Sequence, residues 1–222
     1  KANKFFIENN HIKGLEILKG IWFKYPKNTR LIDEINRHSK KFKKSIAPTF
    51  SDKEIEFFFN MHRDGKTNSV IEKLVEIYKK KSDDILLISL LGTFYGLNED
   101  YDQAISFQKI AIERAPFEPS FYRNLSETLK KVDKIRDALS ILYFAKILSL
   151  NDQSIDYEIA KLNTDLNNYL AADLIYTKLM REKNINKEIM YSYCSNLIKL
   201  NKVNEAILFV EKNQIHDKNN DI

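Results

Sequence analysis

The sequence contains little cysteine, glycine or proline. Its single cysteine, Cys194, cannot form a disulfide bond within the chain, and an unpaired cysteine favours a reducing, cytoplasmic compartment. Only five glycines and four prolines occur among the 222 residues, too few for the frequent tight turns of a β-sandwich or β-barrel. The composition therefore argues against a turn-dense β fold.

A long hydrophobic run is also missing. The longest apolar stretch, Ile85–Leu97, has about 13 residues and is interrupted by Ser89, Gly92 and Thr93, whereas a membrane-spanning helix needs roughly 20 apolar residues. Apolar residues make up 43% of the chain and charged residues 30%, as in ordinary globular proteins. We therefore expect no membrane contact. Because the chain begins with Lys1 and not with methionine, we also expect it to be part of a longer protein.

The positive charge is concentrated in the first 50 residues. The whole chain has 36 Lys+Arg against 31 Asp+Glu, a formal charge of +5, and residues 1–50 hold 12 of the basic but only 4 of the acidic residues. The densest cluster consists of Lys40, Lys41, Lys43 and Lys44. Phe42 is the one aromatic residue inside it, and single-stranded nucleic acid needs several stacking platforms. A solvated, lysine-rich helix end is the favoured interpretation, and contact with nucleic acid or an acidic partner is the alternative.

No motif for catalysis or metal binding is present. The four histidines are His11, His38, His62 and His216. They lack the HxxxH and Cys/His spacings of metal sites, and the glycine-rich loops of nucleotide-binding proteins and the GxSxG motif of acyl transfer are absent too. Paired acids such as Asp83 and Asp84 lie beside predicted helix starts, where helix capping explains them. We expect this segment to bind no metal and no cofactor and to have no enzymatic activity.

Small and large apolar residues recur every 34 residues. Ala104, Ala138, Ala172 and Ala206 stand 34 residues apart, and one step before them is Val70. Large apolar residues recur with the same step at Phe57, Leu91, Leu125, Ile159 and Tyr193. Within each period the apolar residues follow the i, i+3, i+4, i+7 spacing of a helix face, and a short polar segment separates two such faces. Each period therefore predicts a pair of antiparallel helices that must stack on its neighbours to cover its apolar surface.

One period carries the pattern of a known repeat family. In residues 85–118 the characteristic positions are occupied by Leu91, Gly92, Tyr95, Tyr101, Ala104, Phe107, Ala111 and Pro116. This unit resembles a tetratricopeptide repeat, whose period is also 34 residues, and the resemblance covers about residues 51–213. It implies an all-α fold, a right-handed α-solenoid of stacked helix-turn-helix repeats.

The resemblance divides the chain into three parts. Residues 1–47 are expected to form a partial N-terminal repeat plus an offset helix over about residues 29–43, because the 34-residue register breaks there. Residues 48–213 are expected to form five repeats. These repeats begin at Ser51, Ile85, Pro119, Gln153 and Lys187. A tail, residues 214–222, is expected to follow the last helix.

In proteins of this family the first helix of each pair lines an inner face, where partners bind. The candidate partner-binding residues on this face are Phe59, Arg63, Arg123, Asn124, Glu127, Tyr157, Lys161 and Tyr191. The wider inward-facing set also includes Thr93, Leu97 and Lys131, and its acidic and basic side chains balance, which disfavours a nucleic-acid track. Aromatic residues in the groove would anchor apolar side chains of a partner; alternatively, the two tyrosines pack over neighbouring helices. Glu127 lies one turn from Arg123, where it would neutralise the arginine.

The resemblance implies a protein-interaction scaffold or adaptor that binds a peptide or partner protein in the concave groove. The alternative is the non-catalytic N-terminal repeat array of a larger bacterial transferase, a sulfotransferase or glycosyltransferase, serving substrate recognition or oligomerisation. Terminal repeats need a polar outer face, yet Ile207 and Val210 in the last helix are apolar. We therefore expect a following domain or a second copy of the chain to cover the helix 203–213.

Overall fold

The described residues form α-helices joined by short turns. The computed structural model describes residues 2–8, 10–25, 28–42, 49–182 and 186–218, and within them the helices form one unit in residues 1–150 and another in residues 151–222. The first unit contains α1 (Ala2–Ile7), α2 (His11–Lys24), α3 (Thr29–Phe42), α4 (Asp52–Arg63), α5 (Thr67–Lys80), α6 (Ile85–Leu97), α7 (Tyr101–Arg114), α8 (Pro119–Lys131) and α9 (Ile135–Leu148). The second unit contains α10 (Gln153–Asp165), α11 (Tyr169–Leu179), α12 (Lys187–Lys199) and α13 (Val203–Lys218).

Polar side chains determine where the first helix of a pair begins. Ser51 and Glu54 form a capping box at α4: the Ser51 N–H donates to Glu54 Oε2 at 2.8 Å, and the Glu54 N–H donates to Ser51 Oγ at 3.4 Å. Asp84, Asp152 and Asn186 cap α6, α10 and α12 with their side-chain oxygens. Such caps satisfy backbone N–H groups that have no partner inside the helix. Each of these helix starts is therefore encoded locally.

The turn inside each helix pair contains one residue with left-handed backbone. These residues are Gly65, Glu99, Asp133, Asn167 and Asn201, with φ of 76°, 62°, 58°, 61° and 60°. The residue after each one closes the preceding helix, as when the Asp100 N–H donates to the Tyr95 carbonyl at 3.0 Å. This is the Schellman arrangement, in which the left-handed position is usually glycine. Here four of the five pairs place a residue with a Cβ at it, at some cost in backbone energy.

The column of small residues lies at the closest helix contacts. Val70, Ala104, Ala138 and Ala172 are completely buried, and Ala206 is nearly so. Gly92 of α6 approaches α7 so closely that a Cβ there would lie 2.9 Å from Gln108 Cγ. Leu87, Leu91 and Phe94 are fully buried beside it, and burying each large apolar side chain contributes about 1.5–3 kcal/mol. The 34-residue repeat therefore places small residues where helix backbones meet and large ones in the surrounding core.

The N-terminal helices pack on one another and on α9. Phe6 of α1 is buried against Gly14 of α2, where a Cβ would lie 2.6 Å from Phe6 Cε1. Both α2 and α3 contact α9, and Lys19 Nζ lies 3.8 Å from the centre of the Phe144 ring. The N-terminal helices thus lie beside the second helix of the pair α8–α9.

The second unit is built from the pairs α10–α11 and α12–α13. Asn196 of α12 is fully buried; its Nδ2 donates to the Tyr169 carbonyl at 3.1 Å, and its Oδ1 accepts from Thr164 Oγ1 at 3.3 Å. Because both ends of the carboxamide are bonded, the buried amide costs little. α13 continues to Lys218, beyond residue 213, where the last helix was expected to end. The segment contains no glycine or proline that would end the helix earlier.

Candidate functional site

A pocket of about 240 Å³ lies in the first unit at the first helices α6 and α8. Its lining residues are Thr93, Gly96, Leu97, Tyr101, Asn124, Glu127, Thr128 and Lys131. Asn124 and Glu127 are candidate partner-binding residues, and Thr93, Leu97 and Lys131 belong to the wider inward-facing set. Residues three or four positions apart share a helix face, and two such faces from adjacent pairs meet here. The structure thus brings together residues that are about 30 positions apart in the sequence.

Three of the six polar side chains that line the pocket, those of Thr93, Glu127 and Thr128, are already engaged. Thr93 Oγ1 donates to the Ser89 carbonyl at 3.0 Å. Thr128 Oγ1 donates to the Asn124 carbonyl at 3.2 Å and accepts from Gln108 Nε2 at 2.9 Å. Within the described part of the chain, the Tyr101 hydroxyl, the Asn124 carboxamide and the Lys131 ammonium group have no hydrogen-bond partner. These three groups are therefore available to a ligand.

Glu127 forms its ion pair with Lys130. Its Oε2 lies 2.6 Å from Lys130 Nζ, at i,i+3 on the same helix. Arg123 is half-buried and has contacts of its own. Lys130 therefore reaches the Glu127 carboxylate, and neutralisation of Arg123 by Glu127 stays a prediction.

Three pocket residues, Gly96, Tyr101 and Thr128, are absent from the predicted inward-facing set. Gly96 follows Gly92 by one helical turn, so α6 presents a strip without side chains; a Cβ on Gly96 would lie 3.7 Å from both Ala104 Cβ and Thr128 Oγ1. Tyr101 begins the second helix of its pair, and a pattern restricted to first helices does not select it. Glycine spacing along α6 is the sequence signal that could have indicated an opening at this point.

The two candidate residues on α4 have different environments. Phe59 is half-buried, and its ring centre lies 5.1 Å from that of the core residue Phe94. Arg63 is exposed and hydrogen-bonds the side chain of Asn60. Phe59 therefore stabilises the core of the first unit, while Arg63 remains at the surface.

In the second unit, Tyr157 and Lys161 are tied to α12. The Tyr157 hydroxyl donates to Glu188 Oε1 at 2.8 Å and lies 3.0 Å from Ser192 Oγ. Lys161 Nζ lies 3.5 Å from the same carboxylate oxygen and 5.4 Å from the centre of the Tyr157 ring. Burial raises the pKa of Tyr157, and the neighbouring Glu188 carboxylate raises it further. Tyr157 thus packs against the neighbouring helix, whereas Tyr191 is 71% exposed.

Three residues of types that often catalyse reactions or bind metals, His38, His62 and Cys194, are held by contacts or partial burial within the fold. His38 Nε2 lies 3.1 Å from Glu34 Oε1, and His62 Nδ1 lies 2.9 Å from Thr67 Oγ1. Burial raises the pKa of the Cys194 thiol, which disfavours the reactive thiolate. Among the described residues, no three His, Cys, Asp or Glu side chains are grouped to hold a metal ion. No helix in that part of the chain combines the length and apolar character needed to cross a bilayer.

Known proteins share the fold of this chain but not a recognisable sequence. No protein-family model matches the sequence, and no curated protein matches it. A crystal structure of MamA matches with a TM-score of 0.63 at 16% identity, over 72% of this chain and 95% of that chain. A tetratricopeptide repeat protein from Parabacteroides merdae matches with a TM-score of 0.59 at 12% identity, over 95% of this chain and 75% of its own.

A further structure, a thermophilic tetratricopeptide-repeat protein from Thermus thermophilus, matches with a TM-score of 0.54 at 14% identity, over 71% of this chain and 86% of that chain. At these identities the likeness concerns the fold. The chain has the all-α fold of helix pairs found in tetratricopeptide-repeat proteins, and the predicted fold class is confirmed.

Proposed function

We propose that this chain is a protein-interaction scaffold or adaptor that binds a peptide or a partner protein through the first helices of its pairs. Stacked-repeat folds present such helices as binding surfaces. The observation that carries the proposal is the pocket at α6 and α8, which combines side chains from two adjacent pairs. Its volume of about 240 Å³ is below the roughly 300–1,000 Å³ of drug-sized ligand sites, so part of a protein partner fits it better than a cofactor does.

The available polar groups suit an extended polypeptide. The Asn124 carboxamide offers both a donor and an acceptor, which can pair with the backbone of a bound segment. Lys131 offers a charged donor for a carboxylate or a carbonyl group. Together they would fix the orientation of a bound segment over the pocket.

A second contact is proposed on the second unit, at Tyr191 of α12. An exposed aromatic ring supplies a large apolar contact area and is a common interface hot spot. Lys161 is exposed on α10 and shares Glu188 with Tyr157.

We also propose a reducing, cytoplasmic setting, because the one cysteine has no partner in the chain.

The outer face of α13 is proposed to be covered by a second copy of the chain or by a further domain. Ile207 is 50% exposed and Val210 is 38% exposed. One period earlier, Tyr176 occupies the position of Val210 and is 1% exposed, with its ring centre 6.0 Å from that of Tyr193 in the following helix. In the preceding pair, a following helix therefore packs over this position. Among the described residues, no helix follows α13 to do the same.

Light scattering of the full chain tests the second-copy form of this proposal. Ile207→Glu should turn a dimer into a monomer, because a carboxylate cannot be buried unpaired at an interface. Leu174→Glu is the matched control, since Leu174 is 76% exposed on α11, the second helix of the preceding pair. A wild-type monomer, or a dimer that withstands Ile207→Glu, would exclude self-association through α13.

Peptide selection tests the scaffold function. Peptides selected from a displayed library on the immobilised full chain should bind with roughly micromolar affinity, about −8 kcal/mol. Asn124→Ala and Lys131→Ala should each weaken binding by about fivefold or more, since each removes a hydrogen-bonding group. Lys109→Ala, an exposed position on α7, is the control and should leave the affinity unchanged. If no peptide is selected, or if the selected peptides ignore both pocket variants, the proposed function is wrong.

A further inference from the structure

We propose that the pocket at α6 and α8 accepts one large apolar side chain of the partner, of the leucine, methionine or phenylalanine type. The inference rests on the proposed scaffold function and adds the chemistry of the residue that a partner must insert.

The walls of the pocket are mainly apolar. Gly96 contributes no side chain, and apolar atoms make up most of the lining surface although several lining residues are polar. Leu97 is 39% exposed, so apolar surface faces water in the absence of a partner. An apolar side chain that fills the pocket removes this surface from water, which is the main driving force of association.

The threonine hydroxyls offer little to a polar side chain. Both Thr93 Oγ1 and Thr128 Oγ1 already donate to carbonyl groups of their own helices. Asn124 is half-buried, and Lys131 is exposed and hydrated. Because Asn124 and Lys131 pair with the backbone of the bound segment, a polar side chain that enters the pocket would exchange its water for few new hydrogen bonds, whereas an apolar side chain loses no hydrogen bond.

The size of the pocket fits a single large side chain. An apolar cavity of about 150 Å³ holds a benzene molecule, so about 240 Å³ accommodates a branched aliphatic chain or a phenyl ring. The surrounding contacts make the pocket preformed. The Tyr95 and Phe107 rings stack with their centres 5.5 Å apart between α6 and α7, and the buried Gln108 side chain donates to Thr128 between α7 and α8. A preformed site binds without the cost of ordering its walls.

Binding of capped amino acids to the full chain, followed by amide NMR, tests the pocket directly. N-acetyl-leucinamide and N-acetyl-phenylalaninamide should shift the amide signals of Gly96, Leu97 and Thr128. N-acetyl-alaninamide and N-acetyl-glutaminamide should bind about tenfold more weakly or worse, because they bury less apolar surface. Equal binding of the four probes, or no shift of these signals by the apolar pair, would overturn the inference.

A variant whose new side chain fills the pocket provides a second test. Gly96→Leu should reduce binding of the apolar probes by about tenfold or more, because its side chain occupies the space. Gly20→Leu is the matched control, since Gly20 is also in a helix and a Cβ there meets no atom within 4 Å. If Gly96→Leu does not fold, Gly96→Ala serves instead, because its Cβ would make ordinary contacts at 3.7 Å. Gly96→Leu that folds and still binds as the wild type contradicts the pocket assignment.

The selected peptides separate this inference from the scaffold function. Replacing each large apolar residue of a bound peptide by alanine should identify one residue whose loss weakens binding about tenfold or more. If peptides bind the wild type but no such residue exists, the scaffold function stands and the apolar pocket is wrong. If no peptide binds while the apolar probes shift the pocket amides, the pocket assignment stands and the scaffold function is wrong.

Discussion

Replacing Glu99 by glycine should stabilise this protein, although glycine on a protein surface usually does the opposite. Glu99 has a φ of 62° in the turn between α6 and α7, a conformation that brings the Cβ of an L-residue close to the following carbonyl oxygen. Glycine has no Cβ and adopts this conformation freely. The substitution therefore removes backbone strain in the folded state.

The expected gain is about 0.5–1 kcal/mol. The left-handed conformation costs an L-residue about 1–2 kcal/mol, and glycine returns about 0.5–1 kcal/mol of that through the extra freedom of the unfolded chain. Gly65→Ala is the reverse experiment and should destabilise by about the same amount. A Cβ on Gly65 would meet no atom within 4 Å, so its effect arises from the backbone and not from a clash.

Urea unfolding followed by far-UV circular dichroism measures the effect as a change in midpoint at constant slope. Glu99→Gln is the charge control: it removes the carboxylate near the C-terminal end of α6, which the helix dipole disfavours, but it keeps the strained backbone. Asn98→Gly is the position control, since Asn98 has a φ of −91° and should lose stability. If Glu99→Gly is no more stable than Glu99→Gln, the left-handed backbone at Glu99 does not destabilise the folded protein.

Three further predictions concern other contacts. Gly96→Ala should raise the free energy of unfolding by about 0.5–1 kcal/mol through helix propensity. Gly92→Ala should lower it by up to about 2 kcal/mol, because its Cβ would lie 2.9 Å from a side chain of α7. Equal urea midpoints for the two variants would contradict this. Tyr122→Phe should cost about 1–2 kcal/mol in the same assay, since the buried hydroxyl donates to the Pro116 carbonyl at 2.7 Å, and an unchanged midpoint would show that the carbonyl finds another donor. Burial, together with the neighbouring His38, lowers the pKa of His11 below its unfolded value; stability should therefore be retained above about pH 6.5 and decline as the pH falls below it. Thermal melts across this range should show a smaller decline in His11→Asn, and an equal decline would exclude His11.

The helix pairs could be predicted because their signal is local and repeated. Ala104 and Ala138 are completely buried where the 34-residue step places small residues, and Asp84 caps α6 through a bond three residues away. The left-handed turns have the same period, and only the turn at Glu99 lacks a residue type that indicates it. Gly65, Asp133, Asn167 and Asn201 are residue types that adopt a left-handed conformation readily, while Glu99 adopts it because the two flanking helices impose it.

The candidate site could be predicted only in part. Helical spacing predicted that Asn124 and Glu127 face the same groove, and both line the pocket. Phe59 lies against the core, and Tyr157 is bonded to α12, because an aromatic side chain on a helix face packs against whatever neighbour is within reach. Helical periodicity predicts the direction in which a side chain leaves its own helix, but not the distance from that helix to the neighbouring helix.

The amino-acid sequence by itself determined the helical class, the pairing of helices and their period, since each depends on contacts within one repeat length. Tertiary structure alone decided that α2 lies against α9, where Lys19 reaches Ser140 across 121 positions of sequence. It also decided that Gly96, Tyr101 and Thr128 enclose one pocket. The physical reason is that such contacts depend on how helices from different repeats approach one another, and no periodic pattern within a single repeat specifies that approach.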